Sequence, residues 1–284
     1  VNPQVLLPWC SPLAAALPRR TAETLADVLG GASRGGTQLA ANLARALGAP
    51  APAPVLRPAP QSYARYYLSA MRLAHASVAR AAGGVGVEGA AEIERSLARR
   101  RGVLVLSAHF GNWDLAGIAL AQSFGGICVF AEALRPQRLA RFYARLRQRH
   151  GVRVVHAGSA SRLPVQVLQA NGVLGVMADR AFGGRAVRVP FGAAGLEVPT
   201  AAIRLALRHG SGVHAVLCGR EAGGYILRIG ADLGAGASDD AAGVRRVASA
   251  FAAALFERVR RDPGQWCHLY PLTSSRDAAC ASLR

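Results

Sequence analysis

From Gly102 onward the chain alternates short apolar runs with amphipathic stretches. Val103 to Ser107, Ile127 to Phe130, Val152 to His156, Val173 to Ala178, Val213 to Cys218 and Tyr225 to Ile229 read as strands, with helical patterns between several of them. That alternation predicts an α/β fold, a mixed central sheet flanked by helices. A Gly-Gly turn just before Tyr225 predicts a late antiparallel hairpin. No internal repeat is evident.

The N-terminal part has a different texture. Residues 13 to 48 read as helical, with Thr37 as a cap and Leu39, Leu43 and Leu47 on one face beside Arg45. From Ala49 to Pro60, five prolines predict an extended arm. A helix is expected from about Gln61 to Ala82, with Tyr63, Tyr66, Tyr67, Leu68 and Met71 among Arg65, Arg72 and Arg80. Such a mix suits core packing or a lipid interface, and the stripe favours the core. The expected division is an N-terminal helical segment with its connector over residues 1–60, then the main domain over 61–284.

Gly84 to Gly89 spells Gly-Val-Gly-Val-Glu-Gly, the dinucleotide glycine spacing. It follows a predicted helix where that fingerprint must follow a strand, so it reads as a coincidence.

Charge changes the picture more than length does. All 34 basic residues are arginine, against 16 acidic ones, for a net charge of +18. A chain without lysine has no P-loop lysine and no Schiff-base amine. The excess calls for an anionic partner: nucleic acid, an acidic membrane surface or a phosphorylated substrate. Aromatic residues make up 6%, thin for a protein that stacks bases. Cys10, Cys128, Cys218, Cys267 and Cys280 are scattered, odd in number and read as reduced thiols. The histidines are dispersed too, so neither metal nor cofactor is expected. Pro3, Pro8, Pro12 and Pro18 cut the N-terminal apolar stretch, and no spanning helix or secretion signal is expected.

Candidate chemistry concentrates after the strand Val103 to Ser107, which runs into Ala-His-Phe-Gly-Asn-Trp-Asp-Leu. His109 falls at the end of a buried strand, where α/β sites cluster, with Asp114 five positions on. Across the Gly-Asn turn Asp114 could accept the Nδ1 proton and leave Nε2 as a base. A histidine that merely caps a helix is the bland alternative. Nothing points to a serine hydrolase: the Gly-x-Ser-x-Gly at Gly31 to Gly35 lies in the predicted N-terminal helical stretch and not at a strand-to-helix turn, where a nucleophile elbow must sit.

The segment Leu106-Ser-Ala-His-Phe-Gly-Asn-Trp-Asp-Leu-Ala-Gly117 resembles the signature of the bacterial lipid A biosynthesis acyltransferase family. Further matches follow in order: Glu132-Ala-Leu-Arg-Pro136 with the arginine helix Arg138 to Arg149, Ala178-Asp-Arg180 with Val187 to Gly192, and Pro263-Gly-Gln-Trp266. Gln38 to Leu47 and Tyr63-Ala-Arg-Tyr-Tyr extend the resemblance over nearly the whole chain.

The resemblance implies a glycerolipid-acyltransferase-like fold with an N-terminal helical elaboration. It implies transfer of a fatty-acyl chain from acyl-CoA or acyl carrier protein to a hydroxyl of a membrane glycolipid, by a protein peripheral on the cytoplasmic side. His109 and Asp114 would be the catalytic pair, with Gly111, Asn112 and Trp113 in the substrate-binding motif. Glu132 would contact the acceptor sugar, and Arg135, Arg147, Asp179 and Arg180 would belong to the substrate site. Asp114, Glu132-x-Leu134-Arg135-Pro136 and Ala-Asp-Arg lean toward the phosphatidylinositol mannoside branch rather than the lauroyl-type branch. Ala181 and Cys267-His268 depart from the pattern and leave the acceptor open. Two rivals stand beside this reading: a basic nucleic-acid-binding protein, and a homologue that binds glycolipid without turnover.

Overall fold

The computed structural model describes residues 7–31, 36–50, 58–131, 134–156, 161–181, 185–222 and 224–272. Helices α1 (Leu7–Ala16), α2 (Arg19–Gly31), α3 (Gly36–Leu47), α4 (Pro58–Leu73) and α5 (Val78–Ala82) precede the first strand, β1 (Val85–Glu88). Then follow α6 (Ala90–Ala98), β2 (Val103–Ser107), α7 (Trp113–Ser123), β3 (Ile127–Ala131), α8 (Gln137–Arg149), β4 (Val152–His156), α9 (Leu163–Gln169) and β5 (Val173–Met177). The chain closes with the hairpin β6 (Ala186–Phe191) and β7 (Ala194–Pro199), then α10 (Ala201–His209), β8 (Gly212–Glu221), β9 (Gly224–Asp232) and α11 (Ala241–Arg261).

Seven strands form one sheet in the order β1-β9-β8-β2-β5-β3-β4. The run from β8 to β4 is parallel, and β9 turns back antiparallel on β8 with β1 parallel beside it. The sheet is therefore mixed, and helices cover both faces.

Period-two geometry explains why β2 carries no polar residue before Ser107. Leu104 and Leu106 point to a core shared with α10, α11 and the β6–β7 hairpin, while Val103 and Val105 point to a second core shared with α4, α7 and α8. Both faces being dry, truncating Leu106 to alanine costs about 2–5 kcal/mol. On α11, Asp240 caps the N-terminus by accepting from Gly243 N at 2.8 Å, and Val244, Val247, Phe251, Leu255 and Val259 make one buried stripe.

The sequence differs from the structure in four places. The helix expected over 61–82 starts earlier, at Pro58, because prolines fit a helical first turn, and it breaks between Leu73 and Val78. Pro58 and Pro60 of the expected arm are thus helical, and residues 51–57 lie outside the described residues. The N-terminal helical stretch is divided into three helices. The glycine-spaced segment is the edge strand β1, ended by Gly89, whose φ is +82° and whose added Cβ would lie 2.3 Å from the Ile229 carbonyl oxygen. The β6–β7 hairpin was not anticipated, since Arg188, Pro190 and Glu197 interrupt its apolar pattern.

Candidate active site

Strand register assembles the centre. Strands β2 and β5 are parallel neighbours with Ser107 opposite Met177, so two residues past each strand end the chain places His109 beside Asp179. His109 Nδ1 lies 2.8 Å from Asp179 Oδ1, and the His109 backbone N–H donates to Asp179 Oδ2 at 2.9 Å. Trp266 Nε1–H donates to the same Oδ2 at 3.2 Å, and His268 Nδ1 stands 3.7 Å from it. Burial opposes ionisation of Asp179, but the charge and hydrogen bond of His109, joined by His268, hold its carboxyl well below the usual carboxylate range. A charged acceptor on Nδ1 fixes the imidazole tautomer and leaves Nε2 without a proton and able to accept one.

Asp114 does not take that place, contrary to the expectation from spacing. It sits in the first turn of α7, which begins at Trp113, and the helix carries its carboxyl away from His109. Asp114 Oδ2 accepts from the Tyr66 hydroxyl at 2.6 Å and Oδ1 from Arg147 Nε at 2.8 Å, so the carboxylate ties α4, α7 and α8 together. Burial alone would weaken protonation of Arg147, but Asp114 outweighs it and keeps the guanidinium firmly charged. Burial, then Asp114, push the Tyr66 hydroxyl far up, so it remains a donor. The Trp113 ring stands between the two clusters, stacked on Tyr66 at 3.8 Å and edge-on to His109 at 5.1 Å.

Turn geometry holds these groups in place. Asn112 caps α7 by accepting from Leu115 N at 3.0 Å and donates to Ser69 Oγ at 2.9 Å. Gly111 has φ +61°, and a Cβ there would fall 2.0 Å from the Cys218 carbonyl oxygen, so only glycine allows this approach. The C-terminal segment closes the other side: Cys267 N donates to His109 O at 2.7 Å, and His268 stacks on Trp266. Asn42 of α3 anchors that segment by donating to His268 O and Tyr270 O at 2.8 and 2.7 Å and accepting from Leu272 N at 2.9 Å.

A cavity of about 730 Å³ runs from His109, Asp114, Arg147 and Arg180 to an apolar wall of Val105, Leu120, Ile127, Val129 and Val152, between the sheet and α7. Arg180 packs over the Tyr270 ring, 3.2 Å from its centre. Gly111, Asn112 and Arg135 do not line this cavity, and Glu132 lies outside the described residues. Cys267 does line it, but burial and then Asp179 push its thiol up to about 12, so it is no thiolate nucleophile at neutral pH. Among the described residues, His109, Asp179 and His268 have the spacing of metal ligands, within 4.8 Å of one another. Both Asp179 oxygens accept N–H donors from His109 and Trp266, whereas the buried His268 Nδ1 has no hydrogen-bond partner among the described residues.

Residues 10–273 match the family described as bacterial lipid A biosynthesis acyltransferase. The chain belongs to that family. It is an acyltransferase. It is also similar to phosphatidylinositol mannoside acyltransferase of Mycolicibacterium smegmatis, 30% identical over 244 residues that cover 84% of this chain and 79% of the relative. The protein of that name from Mycobacterium tuberculosis is 30% identical over 263 residues, 87% of this chain and 82% of the relative. Of the residues singled out from the sequence, the structure gathers His109, Trp113, Asp114, Arg147 and Arg180 around one cavity, and it sets Asp179 rather than Asp114 against His109 Nδ1. Sequence reasoning missed Tyr66 as the Asp114 donor and Trp266 and His268 as groups on Asp179. Only strand register, which brings together residues 70 positions apart, would have shown the Asp179 pairing.

Proposed function

We propose that this acyltransferase moves a fatty-acyl chain from a thioester, acyl-CoA or acyl carrier protein, to a hydroxyl of a membrane glycolipid resembling a phosphatidylinositol mannoside or a lipid A precursor. The relatives' names support the acceptor class. The observation that carries the reaction is His109 Nδ1 held 2.8 Å from a buried, ionised Asp179 at the polar end of a cavity with an apolar wall.

His109 Nε2 removes the hydroxyl proton as the oxygen attacks the thioester carbonyl, a step in which a positioned base typically contributes about 10² to 10⁴ in rate. Asp179 stabilises the imidazolium. The tetrahedral intermediate then collapses with cleavage of the carbon–sulfur bond, and the imidazolium proton passes to the departing thiolate. The acyl chain lies along the apolar wall, where each buried methylene contributes about 0.8 kcal/mol. Asp114, Tyr66 and Arg147 keep the cavity wall rigid. The chemistry draws on no resident cofactor or metal, and the protein works peripherally at the cytoplasmic face of the membrane. Among the described residues no helix is long and apolar enough to cross a membrane.

The test is transfer by the purified protein from acyl-CoA or acyl carrier protein to each acceptor class, followed by lipid mass spectrometry. We expect one glycolipid to gain the mass of an acyl chain and His109→Ala to abolish the gain. Full turnover by folded His109→Ala would end this mechanism.

A further inference from the structure

Helix α8 has two unlike faces. Leu139, Tyr143 and Arg147 turn to the substrate cavity, whereas Arg138, Arg141, Arg145 and Arg149 line a separate groove of about 570 Å³ beside Trp9 of α1 and His75. Spacings of three and four residues set the four arginines in one stripe. Among the described residues no carboxylate pairs with any of them. Their recorded partners are neutral: the Arg138 guanidinium lies 5.5 Å over the Trp9 ring, and Arg149 Nε–H donates to Ala76 O at 3.2 Å.

Several other arginines of this chain meet acids. Glu257 receives Arg260 and Arg261, and Glu221 receives Arg228 and Arg258. A stripe of like charge without local compensation repels itself and is complementary to an anion from outside. Helix α1, whose Trp9 lines this groove, adds a second, independent feature: Trp9 and Leu13 are 66% and 73% exposed and lie four residues apart on one helix face. A soluble phosphate has no use for exposed indole and leucine, whereas a bilayer surface takes up both, with phosphates at the arginines and the apolar side chains in the headgroup boundary.

We propose that the α1–α8 face docks this enzyme on an anionic phospholipid bilayer. Docked so, the bilayer lies one helix, about 10 Å, from the substrate cavity. The inference deepens the membrane-surface part of the proposed function, but it rests on surface binding and not on acyl transfer, so the two stand or fall by different measurements.

The experiment is sedimentation of the full chain, without substrates, with phosphatidylcholine vesicles that contain or lack phosphatidylglycerol. Arg141→Glu/Arg145→Glu is compared with Arg245→Glu/Arg246→Glu, which makes the same change in net charge at exposed arginines of α11. Circular dichroism verifies that both variants fold. We expect the groove variant to lose at least ~10-fold in affinity for the anionic vesicles and the α11 variant less than ~3-fold. Trp9→Ser/Leu13→Ser should weaken binding with no change of charge. Equal losses in the two arginine variants would reduce the effect to net charge and overturn the proposal. So would inorganic phosphate binding that the groove variant loses while its vesicle binding is intact, since the groove would then serve a soluble anion.

Discussion

Replacing Asp179 by asparagine keeps the shape of the carboxyl and removes its charge, and should abolish most turnover. With 2.8 Å between Nδ1 and Oδ1, an imidazolium–carboxylate pair at an effective dielectric of about 20 is worth about 6 kcal/mol. The fixed N–H donors around Asp179 disperse part of that charge, so we expect kcat to fall by about 10³ to 10⁴ with little change in donor affinity. Asp114→Asn is the decisive contrast. It leaves the His109 tautomer intact but turns an amide or an uncharged oxygen toward the buried Arg147 guanidinium, so its main cost falls on stability, about 3–5 kcal/mol. The kcat of its folded fraction should drop by no more than about tenfold. The assay is single-turnover acyl transfer by rapid quench, paired with urea unfolding of each variant. A folded Asp114→Asn that loses more kcat than Asp179→Asn would refute the assignment of Asp179 as the group that orients His109.

Three further outcomes follow from the geometry. Gly117→Leu places its Cβ in ordinary contact with Val152, 3.7 Å away, and fills part of the apolar wall; kcat/KM should fall about fourfold per displaced methylene for long acyl thioesters and scarcely for short ones, and a uniform drop across chain lengths would contradict this. Because the folded-state pKa of Asp179 lies below its unfolded value of about 3.9, the native state binds fewer protons there; its stability contribution is complete above about pH 5 and vanishes as pH falls through the depressed range. Urea unfolding from pH 6 to pH 2 should show that slope reduced in Asp179→Asn. Burial pushes the Cys218 and Cys267 thiols up to about 12, whereas Cys10 is exposed, so iodoacetamide at pH 8 should label Cys10 far faster than the other two, as peptide mass spectrometry would report.

Elements whose burial makes a short-range pattern were legible in the sequence. The central strands announce themselves because both faces are dry, as Val103 to Ser107 illustrates, and α8 because Leu139, Tyr143 and Leu146 recur among its arginines. Edge and surface strands carry no such signal: β1 is exposed after Val85, and β6 alternates Arg188 with Val189. The site was half legible for a similar reason. His109 and Asp114 share a local motif, so a local pairing was the natural inference, but where helix α7 starts decides which way the carboxyl points. The true partner arrives through strand pairing from residue 179, and hydropathy does not encode which strands become neighbours.

If His109 and Asp179 act as proposed, Asn42 gives the N-terminal helices a part in the chemistry. One buried amide in α3 fastens the closing strip of chain that carries Trp266 and His268, two of the groups that surround Asp179. Trimming the protein back to the start of α4 would therefore do more than shorten it. The strip would lose its latch, the carboxylate would be open to water, and a truncated enzyme that still folded would hold its base loosely and turn over slowly.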